Sequence, residues 1–283
     1  MNKLVKTIFV AITLLSIGCN QTNDNSTPPT KDFGVFLGAT DKDINKLLDY
    51  QTVAIDIDEF SSSSISKFKE NEIDIYAYLS IGSLEIYRPY YDEFKDYTFY
   101  DYENWPDEKW IDVSVISWQS LLIKEAKRME GLGANGLFLD NFDVYYIAVE
   151  EYQGNEDFCE CIYNGCRTIL DELSKLNINL LINSGTDFLE RLDEEHDSLL
   201  DKVTYYAQEC VFSSIEDYDN DVFSTQDLET QEYYMEIIKM MKKYSNILLI
   251  EYTTESSLVS KIENWAINND AHYYISSSVN LTV

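Results

Sequence analysis

Residues 131–143 read Gly-Leu-Gly-Ala-Asn-Gly-Leu-Phe-Leu-Asp-Asn-Phe-Asp, an apolar run from Gly136 to Leu139 that stops abruptly at Asp140, Asn141 and Asp143. A continuous apolar run bounded by glycines reads as a strand buried on both faces, the habit of parallel sheets covered by helices. Polar side chains at the C-terminal end of such a strand lie where α/β folds build their sites. One short segment thus points to an acid-lined pocket at the mouth of a parallel sheet.

The same pattern recurs along the chain. Apolar or β-branched runs at Phe33–Leu37, Val53–Ile57, Ile75–Ser80, Gly136–Asp140, Asn179–Asn183, Val203–Glu209, Ile247–Tyr252 and Tyr273–Ser276 read as eight strands. Amphipathic stretches between them, including Ser120–Glu130, Cys166–Leu176, Thr230–Tyr244 and Leu258–Asn268, read as helices. Strand–helix alternation of this kind builds βα units. Eight such units in residues 31–283, with no Pro-, Gly- or Ser-rich linker dividing them, predict a single (β/α)8 TIM barrel. The first strand is followed by Gly38-Ala39-Thr40, not by a glycine-rich phosphate loop, which argues against a dinucleotide fold. Only seven residues follow the eighth strand, so the usual final helix is expected to be missing or replaced.

The N-terminus reads as an export signal. Lys3 and Lys6 precede an apolar run, Ile8–Ile17, that is short for a membrane span, and the segment closes at Gly18-Cys19. That is the pattern of a bacterial lipoprotein, with residues 1–19 as the signal segment and Cys19 as the lipidated residue. Residues 20–30 (NQTNDNSTPPT) hold almost nothing to bury and read as a polar tether. The expected product is exported and held at the cell envelope by its lipid alone, as a monomer.

A net charge of −30 repels nucleic acid and anionic membrane surfaces and attracts cationic ligands. Four further cysteines, Cys159, Cys161, Cys166 and Cys210, leave a loop disulfide and free buried thiols both open. The Cys159–Cys166 segment superficially resembles a metal cluster, but it runs into a helix pattern and has neither His196 nor His272 beside it. Neither a metal nor a cofactor is expected.

Residues at strand ends should face the pocket. These are Asp56 and Asp58, Tyr78 and Ser80, then Asp140, Asn141 and Asp143, then Asn183 and Ser184, Gln208 and Glu209, and Glu251 and Tyr252. No histidine ends a strand, which removes a Ser-His-Asp mechanism. Bare carboxylates suit Mg²⁺ or Ca²⁺, and a carboxylate-metal hydrolase using Asp56, Asp58, Asp140 and Asp143 is one reading. They equally suit glycoside hydrolysis, where one carboxyl protonates the leaving oxygen while another attacks carbon or activates water. A sugar-binding barrel without turnover is a third reading. Aromatic residues crowd the segment between the third and fourth strands: Tyr87, Tyr90, Tyr91, Phe94, Tyr97, Tyr100, Trp105 and Trp110. Their ring faces are candidate platforms for sugar rings.

Three ordered motifs sharpen the reading. Ala77-Tyr-Leu-Ser-Ile-Gly82 with Glu85 and Arg88, then Asn104-Trp-Pro-Asp-Glu-Lys-Trp-Ile-Asp112, then Gly133 to Asp143 resemble glycoside hydrolase family 114. The resemblance runs from Phe33 to the C-terminus. It implies a (β/α)8 barrel with endo-α-1,4-polygalactosaminidase activity on partly deacetylated, cationic galactosamine polysaccharide. It further implies Asp140 as nucleophile, Glu209 of Tyr-Tyr-Ala-Gln-Glu as acid/base, and Asp143, Arg88 and Glu85 around the substrate or holding the loop. Position 83 is Ser where many relatives carry Glu, so one acidic contact is expected to be missing. The expected substrate-binding set is Asp56, Asp58, Tyr78, Glu85, Arg88, Trp105, Asn141, Asp143, Asn183, Glu251 and Tyr252.

Overall fold

Buried apolar runs, separated by stretches with one apolar face, give alternating strands and helices in the computed structural model, which describes residues 31–283. The signal segment, Cys19 and the tether lie outside the described residues. Three βα units open the chain: β1 (Lys31–Phe36), α1 (Ile44–Leu47), β2 (Tyr50–Ile55), α2 (Ser62–Glu70) and β3 (Asp74–Ser80). A long excursion then carries β4 (Ser83–Glu85), α3 (Tyr91–Phe94), β5 (Thr98–Asp101) and β6 (Glu108–Ile111), which form their own three-stranded sheet. The alternation resumes with α4 (Ile116–Leu132), β7 (Gly136–Asp140), α5 (Val144–Glu151), α6 (Glu156–Ser174), β8 (Asn179–Asn183), α7 (Thr186–Glu194) and β9 (Tyr205–Glu209). A hairpin of β10 (Ser213–Asp217) and β11 (Val222–Thr225) precedes α8 (Leu228–Met241), β12 (Asn246–Tyr252), α9 (Ser256–Asn269) and β13 (His272–Ser276).

The eight long-range strands form one parallel sheet in the order β1-β2-β3-β7-β8-β9-β12-β13. β13 then curves back alongside β1, with the Phe36 and Tyr274 rings edge to face at 5.1 Å, so the sheet nearly closes as a (β/α)8 barrel. Among the described residues no hydrogen-bonded ladder joins those two strands. Among the described residues no helix follows β13. Residues 277–283 instead turn across the mouth, where the Gly38 N–H donates to the Leu281 carbonyl at 3.4 Å and Val279 and Leu281 are buried. This short segment covers the gap between β13 and β1.

The helices follow the spacing of their apolar residues. In α4 the buried side chains are Trp118, Leu122, Ala126 and Met129, one stripe of a 3.6-residue period facing the sheet. Asp227 caps α8 by accepting from the Glu229 and Thr230 N–H groups, and Asn155 caps α6 through Phe158. The α6 helix begins ten residues before the expected Cys166. Its first turns, Glu-Asp-Phe-Cys-Glu-Cys, are mostly solvent-facing and show no apolar stripe, although Asn155 marks the start.

Candidate active site

Three neighbouring strands end in the same way. Asp140, Asn183 and Glu209 close β7, β8 and β9, and each is followed by a non-glycine residue in the left-handed region: Asn141 (φ 68), Ser184 (φ 53) and Cys210 (φ 57). Such a residue costs roughly 1–2 kcal/mol. It swings the next loop outward while leaving the last strand side chain at the mouth. The Asn141 amide locks its corner by donating to Ser80 Oγ and Ser83 Oγ at 3.0 and 3.1 Å and accepting from the Tyr102 hydroxyl at 3.0 Å. Gly82 lets the loop after β3 press against it, since a Cβ there would lie 2.1 Å from the Asn141 carbonyl oxygen.

One amide joins the two proposed carboxyl groups. The Asn183 Nδ2 donates to Asp140 Oδ1 at 3.0 Å and to Glu209 Oε1 at 2.7 Å. Laid end to end, those bonds fall short of the roughly 6.5–9.5 Å carboxyl separation of inverting glycosidases. The Tyr252 hydroxyl donates to the other Glu209 oxygen at 2.6 Å. Burial, then the neighbouring Glu209 charge, pushes the Asp140 carboxyl well above the usual carboxylate range. The Asn183 Oδ1 is buried and has no hydrogen-bond partner among the described residues. Asp143 turns back across the α7 N-terminus, where both its oxygens accept from the Gly185 N–H at 3.2 and 3.1 Å. Burial raises its carboxyl to about 7.

These groups open into a cavity of about 570 Å³. Among the described residues its lining carries seven carboxyl groups, those of Asp56, Glu85, Asp107, Glu108, Asp140, Asp143 and Glu209, and no Lys, Arg or His. Tyr78, Asn141, Asn183 and Tyr252 also line it. Trp105 meets Tyr218 of the β10–β11 hairpin edge to face across the opening, with ring centroids 6.1 Å apart and planes at 87°. Sequence reasoning did not single out Glu108, Tyr102, Tyr218, Tyr234 or the tail residues Val279–Leu281, all of which line the cavity. Glu108 sits within one of the quoted motifs, and that was its only signal. Ser83, where one acidic contact was expected to be missing, donates to Glu108 Oε2 at 2.6 Å, so Glu108 supplies an acid at this wall. Burial pushes the Glu108 carboxyl up to about 7.

Several expected binding residues are held elsewhere. Glu251 is fully buried and does not line the cavity. Its carboxylate accepts from the Val211, Phe212 and Ser213 N–H groups and the Ser213 hydroxyl, fixing the loop that leaves Glu209. Alternation explains the error: Glu251 and Tyr252 are successive strand residues and point to opposite faces, so only one can enter the barrel. Arg88 lies behind the lining, ion-paired to Glu85 and, at 2.9 Å, to Asp56. Asp58 is outside the cavity, clasped by Arg128 at 2.7 and 2.8 Å. Of the eight aromatic residues in the long segment, Tyr87 and Trp105 reach the cavity, whereas Phe94 and Trp110 are buried and Tyr90 packs against Trp118. The carboxylate-metal reading fits poorly, because arginines occupy Asp56 and Asp58. Among the described residues, no three His, Cys, Asp or Glu are grouped to hold a metal ion. Cys159, Cys161, Cys166 and Cys210 are free thiols.

No curated protein sequence matches the chain. Among solved structures the fold is similar to the glycoside hydrolase domain of PelA from Pseudomonas aeruginosa, at 16% identity and a TM-score of 0.70, over 90% of this chain and 97% of that one. It is also similar to Ega3 of Aspergillus fumigatus in complex with galactosamine, at 17% identity and a TM-score of 0.61, over 90% and 93% of the two chains. The α-galactosidase TtGalA from Thermus thermophilus aligns at 11% identity and a TM-score of 0.55, over 87% of this chain and 58% of that one. At such identities the likeness is one of fold. Sequence supplies the rest: residues 18–278 match the model of glycoside-hydrolase family GH114, so the chain belongs to that family and is a glycosidase.

Proposed function

We propose that the chain cleaves α-1,4-linked, galactosamine-containing polysaccharide internally, with Asp140 and Glu209 as its two working carboxyl groups. The observation that carries this reading is the shared Asn183 amide, which holds one oxygen of each carboxyl at the mouth of a cavity lined by acids and aromatic rings. The cavity's charge supports the substrate class, since deacetylated galactosamine is cationic and, among the described residues, the lining has seven carboxyl groups and no cationic side chain. The galactosamine bound to the structurally similar Ega3 points the same way. A lipid on Cys19 would hold the barrel at the cell envelope, where such polymers are met, and the enzyme would work there as a monomer.

The chemistry follows from the pair. Asp140 attacks the anomeric carbon as Glu209 gives its proton to the leaving glycosidic oxygen, and a covalent glycosyl-enzyme forms. Glu209, now a carboxylate, takes a proton from the incoming water, whose oxygen displaces Asp140 and restores both groups. The close spacing supports this retaining course over inversion. Burial and the Glu209 charge favour the proton on Asp140. An ammonium group arriving nearby favours the ionised Asp140 and leaves the proton for Glu209. Tyr78, Trp105 and Tyr252 offer ring faces and hydroxyls to the sugar.

The roles are separable in the laboratory. Asp140→Asn and Glu209→Gln should each lower kcat by at least about 10²-fold, the lower range for lost general acid–base catalysis, with the fold retained. With an activated aryl glycoside, azide should restore turnover in both variants. The Glu209 variant should give the retained glycosyl azide and the Asp140 variant the inverted one. The opposite stereochemical pattern would exchange the two roles. Binding of oligomers without any turnover by the native protein would favour the sugar-binding barrel, and loss of activity in chelator would revive a metal.

A further inference from the structure

Most acidic side chains of the cavity wall are already engaged by cations or by several donors. Asp56 and Glu85 are ion-paired to Arg88, and Asp143 is held by the Gly185 N–H. Asp140 and Glu209 share Asn183, while Asp107 stands exposed at the rim. Glu108 differs from all of these. It sits at the start of β6, paired to Glu85 of β4, so rigid backbone carries it. Ser83 holds one of its oxygens, and among the described residues no donor reaches Oε1 and no cation lies within ion-pair distance. The same Ser83 hydroxyl accepts from Asn141, the residue after Asp140, which ties Glu108 to the wall beside the proposed nucleophile.

We propose that Glu108 is the residue that selects amino sugars, its free Oε1 accepting a hydrogen bond from the ammonium group of a ring seated beside Asp140. This rests on the amino-sugar reading above and adds to it the side chain that reads the amine. A carboxylate in a half-buried wall is poorly hydrated, so an ammonium group placed there displaces little water and meets a charge that, among the described residues, has no cation within ion-pair distance. Burial, with the Glu85 charge beside it, raises the carboxyl to about 7. A neutral N-acetyl group offers Glu108 a weaker donor and a bulkier shape. The carboxylates tied to Arg88 cannot serve equally, because their charge is already spent on a guanidinium.

The test is calorimetric binding of α-1,4-linked galactosamine tetramers and their fully N-acetylated counterparts to the native protein, Glu108→Gln and Glu108→Ala. Gln keeps an acceptor for Ser83, and Ala provides a second reading if Gln perturbs the wall. The native protein should prefer the amino tetramer, and each variant should lose roughly ten- to a hundred-fold of that preference, the value of a charge-assisted hydrogen bond. An undiminished preference in both variants overturns the role of Glu108 and leaves the amino-sugar reading standing. A native protein that binds both tetramers equally, or neither, overturns both.

Discussion

Replacing Glu251 with Gln changes one oxygen to an NH₂ group in a place that contains only donors. The Val211 and Phe212 N–H groups reach Oε1 at 3.1 and 3.0 Å, and the Ser213 N–H and O–H reach Oε2 at 2.9 and 2.6 Å. The Ser213 oxygen is also engaged, accepting from the Tyr252 N–H at 2.9 Å. Whichever way the new amide turns, its NH₂ faces at least one backbone N–H that cannot reach water. A buried donor left without an acceptor costs about 1–3 kcal/mol, and the surviving bonds lose the strength that the charge gave them. A net loss of about 2–4 kcal/mol follows, which for a domain of this size lowers Tm by roughly 5–15 °C. Differential scanning calorimetry at pH 8 measures it directly. Loosening of the 210–213 loop by the substitution should also lower kcat, because the loop leaves from Glu209. A Tm within about 2 °C of the native value would refute the accounting. If KM alone then rose, Glu251 would return to the substrate-binding set.

Asn183→Ala should reduce kcat far more than KM and move the pH–rate profile, because the amide holds both carboxyl groups and influences which carries the proton; a profile unchanged in shape would make Asn183 a packing residue only. Glu108 and Asp143 are both raised from below 5 to about 7, so the folded chain binds more protons than the unfolded chain between those values. The stability they contribute is complete below about pH 4 and is lost as pH rises through 7, so Tm should fall between pH 5.5 and 8, and a flat or rising Tm would contradict it. Because the cavity attraction is electrostatic, KM for deacetylated polymer should rise with salt as screening shortens its reach to about 8 Å, while an unchanged KM would assign binding to the aromatic rings.

The barrel was legible because each parallel strand must be apolar on both faces, and that requirement writes a run into the sequence that few other elements share. The strand-end polar residues were legible for the same reason, as the points where those runs stop. The excursion sheet was not, because β4, β5 and β6 are three or four residues long, too short to write a readable pattern. Glu108 was hidden in a charged Asp-Glu-Lys run, where a solvated side chain is the ordinary expectation. Glu251 was misplaced by treating both of the last two residues of β12 as pocket-facing, when strand alternation allows one. The start of α6 was lost because half-exposed first turns carry no stripe, and the tail over β1 because a segment that covers a gap needs no regular pattern.

The left-handed corners after Asp140, Asn183 and Glu209 make the site an internal record of a trade between durability and work. Ser184→Gly or Cys210→Gly would ease the backbone at no steric cost and loosen the corner at the same time. Laboratory selection for thermal endurance should therefore accumulate glycines at these corners, and selection for turnover should remove them. Which residue occupies 184 or 210 in an evolved variant would then reveal the pressure that shaped it.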